Sequence, residues 1–238
     1  MIILAIDTSE QRGSVAVLRD GDTLAVEAHT GATDYSEWLI PGVEGVLASA
    51  EVRMEAVDLF AVATGPGSFT GVRVGLTTVK AWCEVYGKPV VGVSRLEALA
   101  RLAGCNGGLV GAYYDAQRGQ IFAAIYRAED AKIGRIGDET VIAPQEFLEV
   151  VEREAGQEPV QWVTMDGELI AELEGWQKRV DKGDRIQSVS AELAPAIGRS
   201  AHERALAGQF TDPLELDANY VRRSDAEIFW KGPAAHGR

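Results

Sequence analysis

The stretch at residues 2–29 reads IILAIDTSEQRGSVAVLRDGDTLAVEAH. Its opening run, IILAID, suits a strand buried on both faces. Residues 13–19 and 23–29 then alternate apolar and polar positions, with Asp20-Gly21-Asp22 between them. An Asp-Gly between two alternating runs marks a tight hairpin. A buried strand followed at once by a hairpin sets the pattern for the rest of the chain.

Working outward, residues 35–50 follow a helical period and 57–63 form another strand. A glycine-rich loop then leads into a helix ending near Tyr86, followed by a short strand at 89–93 and a helix at 95–104. From there the pattern restarts. Strands at 109–116 and 120–127 are joined by Gln117-Arg118-Gly119; a helix near 144–155, a strand near 160–165 and a helix near 190–207 follow. Two rounds of hairpin and alternating helix and strand predict a duplicated α/β unit with an internal boundary near residue 103. The expected division is 1–103, then 104–224 with its last helix packing back on the first half, then a tail at 225–238 that frays from about Lys231.

Composition narrows the function. Of 238 residues, 46% are apolar and 25% charged, which is ordinary for a globular chain. No apolar run nears the eighteen or so residues of a membrane span. The N-terminus has no basic flank and meets Asp7 early, so it reads as a strand, not a signal peptide. Cys83 and Cys105, the only cysteines, make neither a disulfide framework nor a zinc-ligand spacing. A cytoplasmic protein without a membrane role is expected. Thirty-six acidic against twenty-three basic residues give a net charge of −13, far from the basic footprint of a nucleic-acid binder. Any contact with nucleic acid is therefore expected to be indirect.

The loop reads TGPGSFTGVRVGLTTVKA, residues 64–81. A phosphate-binding P-loop closes on Lys-Ser/Thr, but the first lysine here is Lys80. Gly65, Gly67 and Gly71 are spaced two and then four apart, so the dinucleotide fingerprint fails as well. Two readings stay open: amides near Gly67 and Ser68 hold an anion at the helix N-terminus, or Ser68 or Thr70 caps a tight strand-to-helix turn. On the helix, Arg73, Thr77, Lys80 and Glu84 share one polar side, and the remainder is apolar or small. Gly71 and Gly75, four apart, leave a face that another backbone could approach, whether from a partner or from the chain's own domain.

In DYSEWLIPGVEGVLASA (34–50), Leu39, Val43, Val46, Leu47 and Ala50 form the core stripe, and Pro41 removes an intrahelical hydrogen bond. Trp38 lies off that stripe beside Gly42, Gly45 and Ser49. A large aromatic beside a shallow groove is an interface anchor. The expected partner face comprises Tyr35, Trp38, Leu39, Gly42, Gly45 and Val46 on the first helix, with Gly71, Val74, Gly75, Thr78 and Trp82 on the second.

IDTS followed by GSVAVLRDGDTL resembles the phosphate hairpin that opens the actin, sugar-kinase and Hsp70 superfamily, a duplicated α/β (ASKHA) fold. GPGSFTGVRVGLTTVKA, KPVVGVSRLEALA, YYDAQRGQIFAAIY and the closing DANYVRRSDAE are similar to the bacterial TsaB family. One departure is Tyr35, where many relatives carry a histidine before Ser-Glu. The resemblance implies a role in making threonylcarbamoyladenosine on tRNA, as partner of a catalytic paralogue, TsaD, joined by an ATPase, TsaE. It also implies a homodimer when alone.

The catalytic paralogue holds its metal with a His-x-x-x-His pair, usually VNHLEGH. Here the stretch is VSRLEAL, with Arg95 and Leu99 in the histidine positions, and neither ligates a divalent metal in the usual way. His29, His202 and His236 have no ligand spacing, so neither a metal site nor a catalytic residue is expected. Asp7 either orients a cation or water, with Thr8 and Ser9 near a phosphate, or caps a turn through its own backbone bonds. The second hairpin, Asp115 to Gly119, carries one glycine and a bulky Arg118. A glycine-rich adenosine pocket is not evident late in the chain. The favoured reading is a non-catalytic partner subunit with no cofactor of its own and ATP or ADP only at the level of the complex. An ATPase or kinase using Asp7, Thr8 and Ser9 is the alternative, and a metallopeptidase ranks third.

Overall fold

The computed structural model describes residues 1–221, apart from residues 30, 32, 106, 131 and 168. The tail expected at 225–238 and the Arg222-Arg223 pair lie outside the described residues.

Two five-stranded sheets share one plan. The first contains β1 (Ile2–Asp7), β2 (Ser14–Arg19), β3 (Asp22–Ala28), β4 (Leu59–Ala63) and β5 (Val90–Val93), in the order β3-β2-β1-β4-β5. The second contains β6 (Gly107–Asp115), β7 (Ile121–Glu129), β8 (Lys132–Ile142), β9 (Val160–Thr164) and β10 (Arg185–Ser188), in the order β8-β7-β6-β9-β10. In each sheet the first three strands form an antiparallel meander, and the last two run parallel to the first. Duplication is thus visible in order and direction alike.

Helices α1 (Tyr35–Ser49) and α2 (Phe69–Tyr86) make the crossovers of the first sheet. Side chains alternate along β1: Leu4 and Ile6 face α1 and α2, packing on Leu39, Val43, Val46, Val72, Leu76 and Val79. Helix α3 (Arg95–Arg101) leaves β5 and packs on the second sheet. Helices α4 (Pro144–Ala155) and α5 (Trp176–Asp181) serve the second sheet's crossovers, and α6 (Ala194–Leu206) packs back across β1, β2, β4 and β5. The opposite face of β1, Ile3 and Ala5, therefore shares a central core with Leu96 and Leu99 of α3, Val110 and Ala112 of β6, and Ile197 and Ala201 of α6. Burying each such Leu, Ile or Val is worth about 1.5–3 kcal/mol, so the two exchanged helices bind the halves together.

Among the described strands and α-helices, three were not expected from the sequence: β8, α5 and β10. β8 is polar and, apart from Glu139, exposed or half-buried, and it is held by its ladder to β7. α5 and β10 are short, and a buried polar knot fixes them. Arg179 donates through Nε and Nη2 to the two carboxylate oxygens of Asp184, both at 2.9 Å, and Asp184 also accepts the indole N–H of Trp162 at 2.7 Å. Among the described residues no helix is long and apolar enough to cross a membrane.

Candidate functional site

β1, β4 and β5 are parallel, so their carboxyl ends meet at one edge, and the loops at 7–9, 64–68 and 94–95 converge there. Asp7 sits at the centre, fully buried. Its Oδ1 accepts the Ser9 amide at 2.9 Å and turns the chain out of β1. Its Oδ2 accepts Nε of Arg95 at 2.9 Å, and neither side chain is more than 1% exposed. Arg95 is the first residue of α3, after Ser94, whose hydroxyl caps the helix by accepting the Glu97 amide. Its backbone N–H donates to Gly65 O at 2.8 Å, locking the end of β5 to the glycine loop.

The second half supplies the other wall. Tyr114 of β6 lies beneath the Arg95 guanidinium, 4.7 Å from ring centre to Cζ, and donates its hydroxyl to Pro66 O at 2.7 Å. Arg12 forms an ion pair with Asp166, which also accepts the Asp115 amide at 2.8 Å. Burial works against the charge on Arg95, but the Asp7 carboxylate prevails and moves its pKa up. Burial pushes the Glu10 carboxyl up to about 7, with Asp7 and Asp166 adding to the rise and Arg95 opposing it. Each Asp7 oxygen thus accepts one hydrogen bond from within the chain, and the carboxylate is fully buried. The turn-capping alternative for Asp7 describes its Oδ1, and the ion pair accounts for its Oδ2.

The glycines of the loop serve this junction. Ser68 caps α2 by accepting the Gly71 amide at 3.3 Å, and its own amide donates to Ser9 O at 2.6 Å. Thr8 Oγ1 donates to Gly71 O at 2.7 Å. A Cβ on Gly67 would collide with the Ser9 carbonyl, one on Gly71 with the Thr8 carbonyl, and one on Gly75 would stand 2.5 Å from Thr8 Oγ1. The expectation that Gly71 and Gly75 leave a helix face bare for another subunit is corrected: Thr8, with Val62 beside Gly75, fills it from within. Leu39, Gly42 and Val46 are likewise buried in the chain's own core. Trp82 packs on Phe60, with ring centres 5.6 Å apart. Trp38 folds over Gly42 and joins His29 and Tyr35 in an aromatic cluster, at 5.0 and 5.9 Å. Gly45 lies against the Glu27 carboxylate of β3.

What the two helices leave open is a groove between them of about 510 Å³, lined by Tyr35, Leu39, Ile40, Phe69, Val74 and Thr78 among others. Ile40 is 47% and Phe69 39% exposed. At the rim, Arg73 stacks on Phe69, 3.6 Å from its ring centre, and donates from Nε to the hydroxyl of Tyr220 at 2.8 Å. Of the residues expected at a partner face, Tyr35, Leu39, Val74 and Thr78 line this groove. Ile40, Phe69 and Arg73 fall within the segments 35–50 and 69–86 expected to meet a partner, but the sequence does not single them out. The signal for Ile40 and Phe69 is apolar character off the core stripe: Ile40 follows Leu39 within α1, and Phe69 is the first residue of α2.

A family model described as TsaD: tRNA N6-adenosine threonylcarbamoyltransferase matches residues 29–208. The tRNA threonylcarbamoyladenosine biosynthesis protein TsaB of Escherichia coli (strain K12) is 32% identical over 187 residues, 77% of this chain and 75% of that protein. The chain belongs to the TsaB family. The TsaB of Bacillus subtilis (strain 168) is 27% identical over 234 residues, 97% of this chain and 98% of that protein. Among solved structures, YeaZ from Pseudomonas aeruginosa superposes with a TM-score of 0.72 at 24% identity, covering 92% of this chain and 99% of that one. The ROK hexokinase of Thermus thermophilus superposes at 0.55 and 12% identity, covering 87% of this chain and 100% of the kinase. This TsaB-family chain therefore has the duplicated actin-like fold that its sequence implied.

Proposed function

We propose that this chain is the non-catalytic partner subunit in bacterial synthesis of tRNA N6-threonylcarbamoyladenosine. It pairs with a TsaD-type catalytic subunit and supports threonylcarbamoyl transfer to the adenosine next to the anticodon. The pathway is the one named for its TsaB relatives. The observation that carries the non-catalytic part is the Asp7–Arg95 pair. The carboxylate best placed to orient a cation is committed to the chain's own guanidinium, at a position where the catalytic paralogue carries a metal-binding histidine.

In this reading the α1–α2 groove is the partner face, with Ile40, Phe69 and Val74 as its apolar contacts and Arg73 at its rim. The same face joins two copies when the chain is alone. A TsaE-type ATPase joins the pair, ATP or ADP acts at the level of the complex, and tRNA is held mainly by the other subunits, as the charge of −13 favours. The setting is the cytoplasm. Ile40→Asp places a charge on an exposed apolar contact and leaves the core intact; it should lower affinity for the TsaD-type subunit at least about a hundredfold, the loss of a central contact of about 3 kcal/mol. Calorimetric titration of the two purified subunits checks this, and unchanged affinity with a native melting profile would remove the groove from the interface.

A further inference from the structure

The chain's last described residues are delivered to the rim of the α1–α2 groove and fastened there. Leu216 is buried in the core beneath α2, the Asn219 amide donates to Thr64 O at 2.7 Å, and the Tyr220 ring lies 5.2 Å from that of Phe69 with its hydroxyl on Arg73. Seventeen residues, 222–238, follow. They include three successive large apolar side chains, Ile228, Phe229 and Trp230, behind Ser224-Asp225-Ala226-Glu227. Phe229 lies nine residues beyond Tyr220, a reach of up to about 30 Å, and the whole of α2 is about 27 Å long.

We propose that the Ile228–Trp230 segment seats in the α1–α2 groove of its own chain. The groove is apolar at Ile40, Phe69 and Val74, and the segment supplies matching apolar side chains. Tethering at Tyr220 presents them at an effective concentration in the millimolar range, which free partners must overcome. The segment then acts as an intramolecular competitor for the face that binds other subunits. Seating rests on the groove and the tether; competition rests also on the partner reading above.

The test uses the full chain with p-benzoylphenylalanine in place of Phe229, irradiated at submicromolar concentration and mapped by peptide mass spectrometry. Cross-links within one chain to 35–40 or 69–78, lost in Ile40→Asp, are expected. Cross-links that land elsewhere, or that form only between chains, overturn seating. In parallel, Phe229→Asp with Trp230→Asp in the full chain should tighten binding of the TsaD-type subunit about tenfold, the factor removed when a competitor occupying nine-tenths of the face is released. Unchanged or weaker affinity overturns competition. Failure of both forms to bind sinks the partner reading and leaves the cross-link map to decide seating.

Discussion

Asp7 and Arg95 are 88 residues apart in sequence and form a fully buried ion pair at the carboxyl ends of β1 and β5. Removing one partner of such a pair leaves a charge stranded in the interior, which costs about 3–5 kcal/mol. Arg95→Met should destabilise by that order, and Asp7→Asn with Arg95→Met by clearly less than the sum of the single changes. Urea denaturation of the double-mutant cycle measures the coupling, and additive losses would mean the two residues act independently. Glu10 tests the electrostatics in another way. Its carboxyl, raised from 4.5 to about 7, holds its proton more firmly in the folded chain. The contribution is full below pH 4.5 and is lost as pH rises through 7. Glu10→Gln should therefore raise stability at pH 8 by about 1–3 kcal/mol and do little at pH 4, as read from denaturation midpoints at the two values.

At the scale of elements, α2 shows what the sequence could and could not say. The polar side at Arg73, Thr77 and Glu84 and the long apolar arc were legible, because helical period and burial coincide. The role of Gly71 and Gly75 was not. A missing side chain signals close approach without naming what approaches, and here it is the Thr8 carbonyl and hydroxyl, 63 and 67 residues away in sequence. Gly71→Ala should thus destabilise by about 1–3 kcal/mol, the usual cost of overpacking, despite the better helix propensity of alanine. A denaturation midpoint at or above wild type would contradict that packing. Gly75→Leu would strike the same junction and so reports on the fold, not on a partner. β1 to β7 were readable from apolar runs and alternation. β8, α5 and β10 were not, since a polar edge strand and two short elements tied by Arg179 and Asp184 carry little periodic signal. The sequence marks Arg95 as standing where the catalytic paralogue has a histidine; its pairing with Asp7 depends on the meeting of the β1 and β5 ends in three dimensions.

For the whole molecule, the two like-ordered sheets with exchanged inner helices join a closed interlobe junction to an open groove on the first half. We place the division of the chain near residue 103, between α3 and β6. In the function we propose, the buried Asp7–Arg95 junction and the exposed Ile40 and Phe69 belong to a subunit that acts through another. The measurement that tests this most directly is reconstitution of threonylcarbamoyl transfer to tRNA. It combines the TsaD-type enzyme of the same organism with TsaE, ATP and the activated donor, with and without this chain. Transfer should require the chain, fail with Ile40→Asp, and persist at any pH and temperature where the Asp7→Asn variant stays folded. Transfer indifferent to the chain, or abolished by a folded Asp7→Asn variant, would contradict the account.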